Sequence, residues 1–364
     1  MGQSVTVPRP TALDPGFWRG RRIFLTGHTG FIGGWAAVVL NGWGAEVFGY
    51  ALPPSTTPSL FDLAGLERRF AGTFADLRDR AALVGAYSAA RPDLVIHLAA
   101  QPLVGVGYEN PAETFEINVM GTVNLLECVR ARGPSAVIIM TSDKVYRGSS
   151  IDNREEDRLG AYDPYGGSKV CSEVVGEVYA RSFLAKAGVP LTTVRAGNVV
   201  GGGDWSDNRL IPDAVRAFSA HLPLSLRHPG AVRPWQHVLD AVAGLLLVAQ
   251  RTARGPVGPD AWNIGPPAGH RMTVGEIAGL AASAWSNEAR VVYDAVQAFP
   301  ETELLTLDSR RVRGELGHAE PWDLPQSLAR TMGWYREALR GADAWALARH
   351  QIDDYLAATT LVSG

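Results

Sequence analysis

Short continuous apolar runs separated by helix-length amphipathic stretches occupy the chain from Arg22 to Gly197, and this alternation constrains the fold more than any other feature. The runs are RIFLT (Arg22 to Thr26), EVFGYA (Glu46 to Ala51), LVIHLA (Leu94 to Ala99), AVIIMTS (Ala136 to Ser142) and LTTVRAG (Leu191 to Gly197). Their apolar residues are consecutive rather than alternating, as in strands covered on both faces, so the sheet is predicted to be parallel. Helical patterns fill the gaps at Phe31 to Asn41, Asp79 to Ala90, Ala112 to Arg130 and Pro164 to Lys186. Repeated strand–helix–strand units cross over right-handed and build a doubly wound α/β sheet.

After Gly197 the texture changes. Gly201, Gly202 and Gly203 form a loop, and helix patterns dominate at Pro212 to His221, Val238 to Arg251, Thr273 to Trp285 and Leu324 to Leu339. The expected organisation is a dinucleotide-binding domain over 1–197 and a smaller mixed α/β lobe over 198–364. Segments near 230–265 are expected to return to the first domain, because AWNIG near Trp262 reads as a strand.

Composition excludes several classes of function. Of 364 residues, 46% are hydrophobic and the formal charge is only −3, which excludes a disordered chain. No basic cluster is present to neutralise nucleic-acid phosphates. The longest apolar stretch, Ala241 to Ala249, is too short to span a bilayer. The opening MGQSVTVPRP lacks the apolar core of a signal peptide, and its match to a myristoylation pattern through Gly2 and Thr6 has no basic patch beside it. Cys128 and Cys171 show no metal-ligand spacing and read as free thiols. A cytoplasmic location is expected.

The first strand runs directly into T-G-H-T-G-F-I-G, where Gly27, Gly30 and Gly33 precede a helix. Glycines allow the tight turn, the approach of backbone amides to a pyrophosphate and the packing of helix on strand, while the helix N-terminus attracts the anion. The acid that would grip a ribose is missing from the end of the second strand, G-Y-A-L-P-P-S, and no arginine follows closely for a 2′-phosphate. Asp76 could instead meet the adenine, or cap the next helix with Asp79 in its first turn.

The run AVIIMTS ends in Thr141-Ser142-Asp143-Lys144, at the strand edge where doubly wound sheets bind ligands. Farther on, Asp163-Pro164-Tyr165 opens a helix in which Tyr165 and Lys169 share one face. An ammonium beside a phenol is expected to lower its pKa from about 10 toward neutrality, making Tyr165 a base for an alcohol under oxidation, with Ser142 bonded to the same oxygen.

With these motifs assembled, the chain resembles the extended short-chain dehydrogenase/reductase family over nearly its whole length. The resemblance rests on T-G-H-T-G-F-I-G, H-L-A-A-Q (His97 to Gln101), N-V-M-G-T (Asn118 to Thr122), the Tyr165/Lys169 pair and R-A-G-N-V-V-G (Arg195 to Gly201). Within it, T-S-D-K, G-G-G-D-W (Gly201 to Trp205), R-P-W-Q-H-V (Arg233 to Val238) and L-D-S-R (Leu307 to Arg310) resemble the nucleotide-sugar 4,6-dehydratases, with CDP-glucose the favoured substrate. Three positions depart from the dehydratase pattern: Ile32 replaces a usual Lys, Gly33-Gly34-Trp35 replaces G-S-W, and Gly166 replaces the Ser after the tyrosine.

The resemblance implies a Rossmann-type doubly wound parallel sheet, NAD as cofactor, a nucleotide-sugar substrate and a homodimer packed through the helices holding Asn118 and Tyr165. It places cofactor contacts at Gly27, Thr29, Gly30, Phe31, Ile32, Gly33, Asp76, Leu77, Ala99, Ala100, Gln101, Asn118, Tyr165 and Lys169. Substrate contacts fall at Gln101, Asn198, Arg209 and Arg233, and Trp205 and Trp235 are candidates to line the pocket. The implied reaction oxidises carbon 4 of the glucosyl ring, eliminates the carbon-6 hydroxyl and returns the hydride to carbon 6. Asp143 would be the acid, and Lys144 either the base or an electrostatic stabiliser. A 4-epimerase needs the tyrosine but no elimination pair, and a non-catalytic cofactor-sensing protein needs neither.

Overall fold

The computed structural model describes residues 13–147, 151–267, 270–293 and 302–362. The Gly2 and Thr6 pattern lies outside the described residues. Five strands follow the sequence runs, β1 (Arg22–Thr26), β2 (Glu46–Ala51), β4 (Leu94–His97), β5 (Ala136–Met140) and β6 (Leu191–Ala196), and β3 (Ala71–Phe74) lies outside them. Shorter strands follow: β7 (Asn198–Val200), β8 (Leu224–Leu226), β9 (Val232–Arg233) and β10 (Trp235–His237). Next comes β11 (Pro259–Ile264), the AWNIG strand, and it lies parallel to β6 with Trp262 opposite Val194.

The main sheet has seven strands in the order β11-β6-β5-β4-β1-β2-β3, every pair parallel. It is covered on both sides, as continuous apolar strands require. In β5, Ala136 and Ile138 enter one core with Trp35 and Leu246, while Val137 and Ile139 enter the other with Leu125 and Val129. That two-residue alternation is the geometry of a pleated strand.

The two longest predicted helices are interrupted rather than regular. The first opens at Pro111, widens into a π-helix over Glu116–Met120 and continues over Gly121–Ala131. The second is α-helical over Pro164–Tyr179 and widens over Ala180–Leu184. Such widening re-aims side chains without ending a helix, and here it falls on buried Asn118. The β5 run stops two residues before Ser142 because that hydroxyl accepts a bond from the Lys144 amide at 3.2 Å and caps a short 3-10 turn, Asp143–Val145. A helix the sequence reading omitted, Ala344–Val362, packs on the helix Phe31–Gly42. In the smaller lobe, β8 pairs with β13 (Val291–Tyr293) and β9 with β12 (Met272–Thr273). β7 pairs with β10.

Candidate active site

Strand order reverses at β1, which has β2 on one side and β4 on the other. Crossovers from the two sides leave opposite faces there and open a crevice at the strand ends. The glycine turn occupies it. Gly27 has a positive φ of 77°, and a Cβ there would stand 2.7 Å from the Ala99 amide nitrogen. A Cβ on Gly33 would stand 2.0 Å from the Gly27 carbonyl, so only glycine lets the helix start this close to the strand. Among the described residues no side chain caps that helix at Gly30, and the first amides of a helix have no partner within it. The ring of His28, fully buried, braces the turn from behind against Phe61, Phe70 and Phe74, and Gly49 and Gly72 make room for it. Burial drives its pKa down to about 4, so it is neutral.

Next to the turn is a cavity of about 480 Å³. Its floor comes from β5 and the helix Pro164–Tyr179, and Ser142, Asp143, Lys144, Tyr165 and Lys169 all line it. Asp163 caps this helix by accepting the Gly166 amide at 2.9 Å, which fixes Tyr165 in the first turn. Ser142 is hydrogen-bonded to the Tyr165 hydroxyl and donates to Asp143 Oδ1 at 2.8 Å. Lys169 Nζ donates to the Met140 carbonyl at 3.1 Å. Lys144 Nζ lies 4.0 Å from the Asp163 carboxylate. Gly166 suits this arrangement, since a Cβ there would stand 3.0 Å from the Lys144 carbonyl and 2.8 Å from Ala161 Cβ.

Burial decides the protonation states. It raises the Asp143 carboxyl despite Lys144 and the Ser142 bond, and Oδ2 has no hydrogen-bond partner among the described residues. Burial also pushes Tyr165 up to about 12 and Lys169 down to about 8. Desolvation is the larger effect on the phenol in the protein alone and acts against the lowering expected from Lys169.

Residues after β6 form the opposite wall. Asn198, Arg209, Arg233 and Trp235 line the cavity there. Arg209 is steadied by Asp204 at 3.3 Å, and Arg233 is buried, its charge felt by Asp143. Sequence reasoning missed Arg227 and His228, which follow β8 and line the same wall.

The sequence pattern of the NAD dependent epimerase/dehydratase family matches residues 23–265. A CDP-glucose 4,6-dehydratase of Salmonella typhimurium is 41% identical over 96% of this chain and 99% of its own length. A dTDP-4-dehydro-6-deoxy-D-allose reductase from a Streptomyces species is 31% identical over 88% and 97%. Among solved structures, a double mutant of DesIV, a dTDP-glucose 4,6-dehydratase of Streptomyces venezuelae with NAD bound, matches with a TM-score of 0.73. It is 26% identical, over 87% of this chain and 97% of that one. The chain belongs to the NAD-dependent epimerase/dehydratase family.

The turn fits the family's cofactor, because the contacts at Gly27 and Gly33 leave a side-chain-free cradle under uncapped helix amides, where a pyrophosphate would bind. Phe31 and Ile32 open that helix, and Ile32 and Ala100 line the cavity. Thr29 turns away to donate to the Leu52 carbonyl at 2.9 Å.

Other expected contacts are engaged within the protein. Asp76 is clasped by Arg78 at 2.7 Å, which holds its carboxyl below the usual range. Asp79, not Asp76, caps the following helix through the Ala82 amide at 3.0 Å. Leu77 is buried beneath Gly121. The Gln101 side-chain amide donates to Thr114 and accepts from the Leu103 amide, so it is spent on shaping the loop rather than on the cavity wall. Asn118 holds both backbone groups of Gln101 and donates to Ser168 at 2.8 Å. It is thus a support for the loop carrying Ala99 and Ala100. Trp205 does not line the cavity; it packs edge-on against Tyr335.

Gly33→Ala drives a methyl into the Gly27 carbonyl and pushes helix and turn apart. NAD affinity measured by calorimetry is expected to weaken at least about tenfold while far-UV circular dichroism still shows the fold. Unchanged affinity would contradict the placement.

Proposed function

We propose that the chain is a CDP-glucose 4,6-dehydratase, forming CDP-4-keto-6-deoxyglucose and water. The observation that carries this reading is Asp143: a buried carboxyl with a raised pKa stands beside the tyrosine base in one cavity. Oxidation alone, or epimerisation, uses the base but has no need of a second, protonated group. The nearly full-length likeness to the Salmonella enzyme supports the substrate assignment.

NAD, when bound at the turn, supplies the hydride acceptor for carbon 4 and the donor for carbon 6, ending unchanged. Tyr165 takes the carbon-4 hydroxyl proton, aided by Ser142 on the same oxygen and by the positive charge of Lys169. The resulting ketone acidifies carbon 5. Lys144 removes that proton, and the charge it gains stabilises the enolate formed. Asp143 gives a proton to the carbon-6 hydroxyl, which departs as water. Carbon 5 regains a proton as carbon 6 is reduced, and the proton held by Tyr165 restores Asp143. Across the cavity, Arg209 and Arg233 face the pyrophosphate of the nucleotide sugar, for which planar paired donors are suited. Asn198 contributes a further polar contact.

Incubation with CDP-glucose and dTDP-glucose, read by mass spectrometry, tests the assignment. Loss of one water from CDP-glucose alone is expected. Loss from dTDP-glucose instead would overturn the base assignment, and unchanged mass with a galactose isomer would make the protein an epimerase. Lys144→Ala is expected to keep carbon-4 oxidation and lose water elimination by at least about a hundredfold. Normal turnover would remove Lys144 from the mechanism. As Asp143 must be protonated, elimination should fail as pH rises through its raised pKa.

The family resemblance also implies a homodimer. Support comes from the helices around Asn118 and Tyr165, which leave Met120, Val174, Val178 and Phe183 exposed. Exposed apolar side chains grouped on neighbouring helices mark a protein interface. In sedimentation, the native protein is expected as a dimer and Val178→Asp as a monomer; a native monomer would overturn this.

A further inference from the structure

The helix carrying Tyr165 and Lys169 bears one more ionisable residue on the same face. Glu173 follows Lys169 by four residues, as Lys169 follows Tyr165, so phenol, ammonium and carboxylate stack along one stripe. Glu173 is buried, with only 5% of its side chain exposed, and does not line the active-site cavity. Its Oε1 accepts from the Thr141 hydroxyl at 2.5 Å and from Arg195 Nε at 3.0 Å. Its Oε2 accepts from the Thr193 hydroxyl at 2.8 Å and from Arg195 Nη2 at 2.9 Å. Thr141 lies between Met140, whose carbonyl holds Lys169, and Ser142, which bonds Tyr165. The carboxylate thus pins the residue just after β5 that is flanked by both catalytic anchors.

We propose that Glu173 is a positioning residue for proton transfer: it fixes the end of β5 against the catalytic helix and keeps the buried Lys169 charged. This rests on the reading of Tyr165 and Lys169 given above. Lys169 forms no ion pair among the described residues, although it is wholly buried. The ionisable groups around it are Tyr165 and Glu173 on its own helix, His97 on β4, Asp143 after β5, and Arg195 on β6 beyond Glu173. His97 is neutral, its pKa lowered to about 3 by burial and by Lys169 itself. Burial lowers Lys169 to about 8, and Glu173 is the group that opposes the fall. Glutamine could satisfy the two threonines, so a purely packing role would not require a carboxylate. A charge one helical turn from an ammonium does require one.

The chain offers an unusually clean test, because it contains three lysines: Lys144, Lys169 and Lys186. Labelling with lysine carrying ¹³C at Cε gives three resonances, assigned through Lys144→Arg and Lys186→Arg, whose pH titrations need neither cofactor nor substrate. In Glu173→Gln the Lys169 pKa is expected to fall by at least about one unit. The alkaline limb of kcat should fall with it while the acid limb of Tyr165 does not follow. Glu173→Asp should restore most of the shift. An unchanged Lys169 titration in a folded Glu173→Gln protein overturns the proposal.

Where loss of one partner leaves Arg195 unpaired and the variant does not fold, Glu173→Gln with Arg195→Met removes the pair together. Lys169 should then titrate between the wild-type and single-variant expectations, below wild type. A wild-type value in the double variant overturns the proposal. Failure of wild-type protein to dehydrate CDP-glucose would instead strike the functional reading, leaving the lysine titration to judge Glu173 by itself.

Discussion

The site depends on β1 having β2 on one flank and β4 on the other. A parallel sheet wound in both directions from one strand must leave a gap where the crossovers diverge, and side chains at the neighbouring strand ends must face it. The glycine turn fills one side of that gap with bare backbone, and the end of β5 fills the other with Ser142 and Asp143. Cofactor site and proton-transfer groups are neighbours because the strands are. Residues after β6 line the other side of the gap, with β7 paired to β10, Arg209 and Arg233 on the cavity wall, and β11 returning beside β6.

Inside the closed cavity, burial rather than pairwise charge sets the chemistry. Water removal disfavours every ionised form, so a carboxyl rises, a phenol rises and an ammonium falls. Asp143, Tyr165 and Lys169 show all three shifts within one site. The first favours the protonated carboxyl that elimination needs. The other two work against the base, which needs a charged lysine beside it, and this gives the buried Glu173–Arg195 pair its significance. The carboxylate of Glu173 is held by Arg195, by Thr193 and by Thr141, the last of which lines the cavity.

Much of this was legible in the sequence, for physical reasons. Continuous apolar runs announce strands covered on both faces, so β1, β2, β4, β5, β6 and the return of β11 could be read directly. Residues four apart share a helix face, so Tyr165 and Lys169 were readable, and the same rule extended one turn would have reached Glu173. Arg227 and His228 were not legible, because they follow the three-residue β8, and nothing local says which distant strand ends it faces. Trp205 was misplaced because an aromatic ring suits cleft and core equally. Gln101 and Asn118 were found as positions, but their bonds to Thr114, Leu103 and Ser168 are tertiary facts. The direction of the Tyr165 shift was missed since spacing reveals a neighbouring charge but not the depth of burial.

The central claim is that one cavity oxidises, eliminates and reduces the same sugar without releasing it. CDP-glucose carrying deuterium at carbon 4, converted by the purified enzyme in ordinary water, tests this most directly. The product is expected to carry the deuterium in its carbon-6 methyl group, and a solvent-derived hydrogen at carbon 5 where the proton was exchanged. Deuterium retained at carbon 4 of an epimerised sugar, or lost altogether from a dehydrated product, would contradict it.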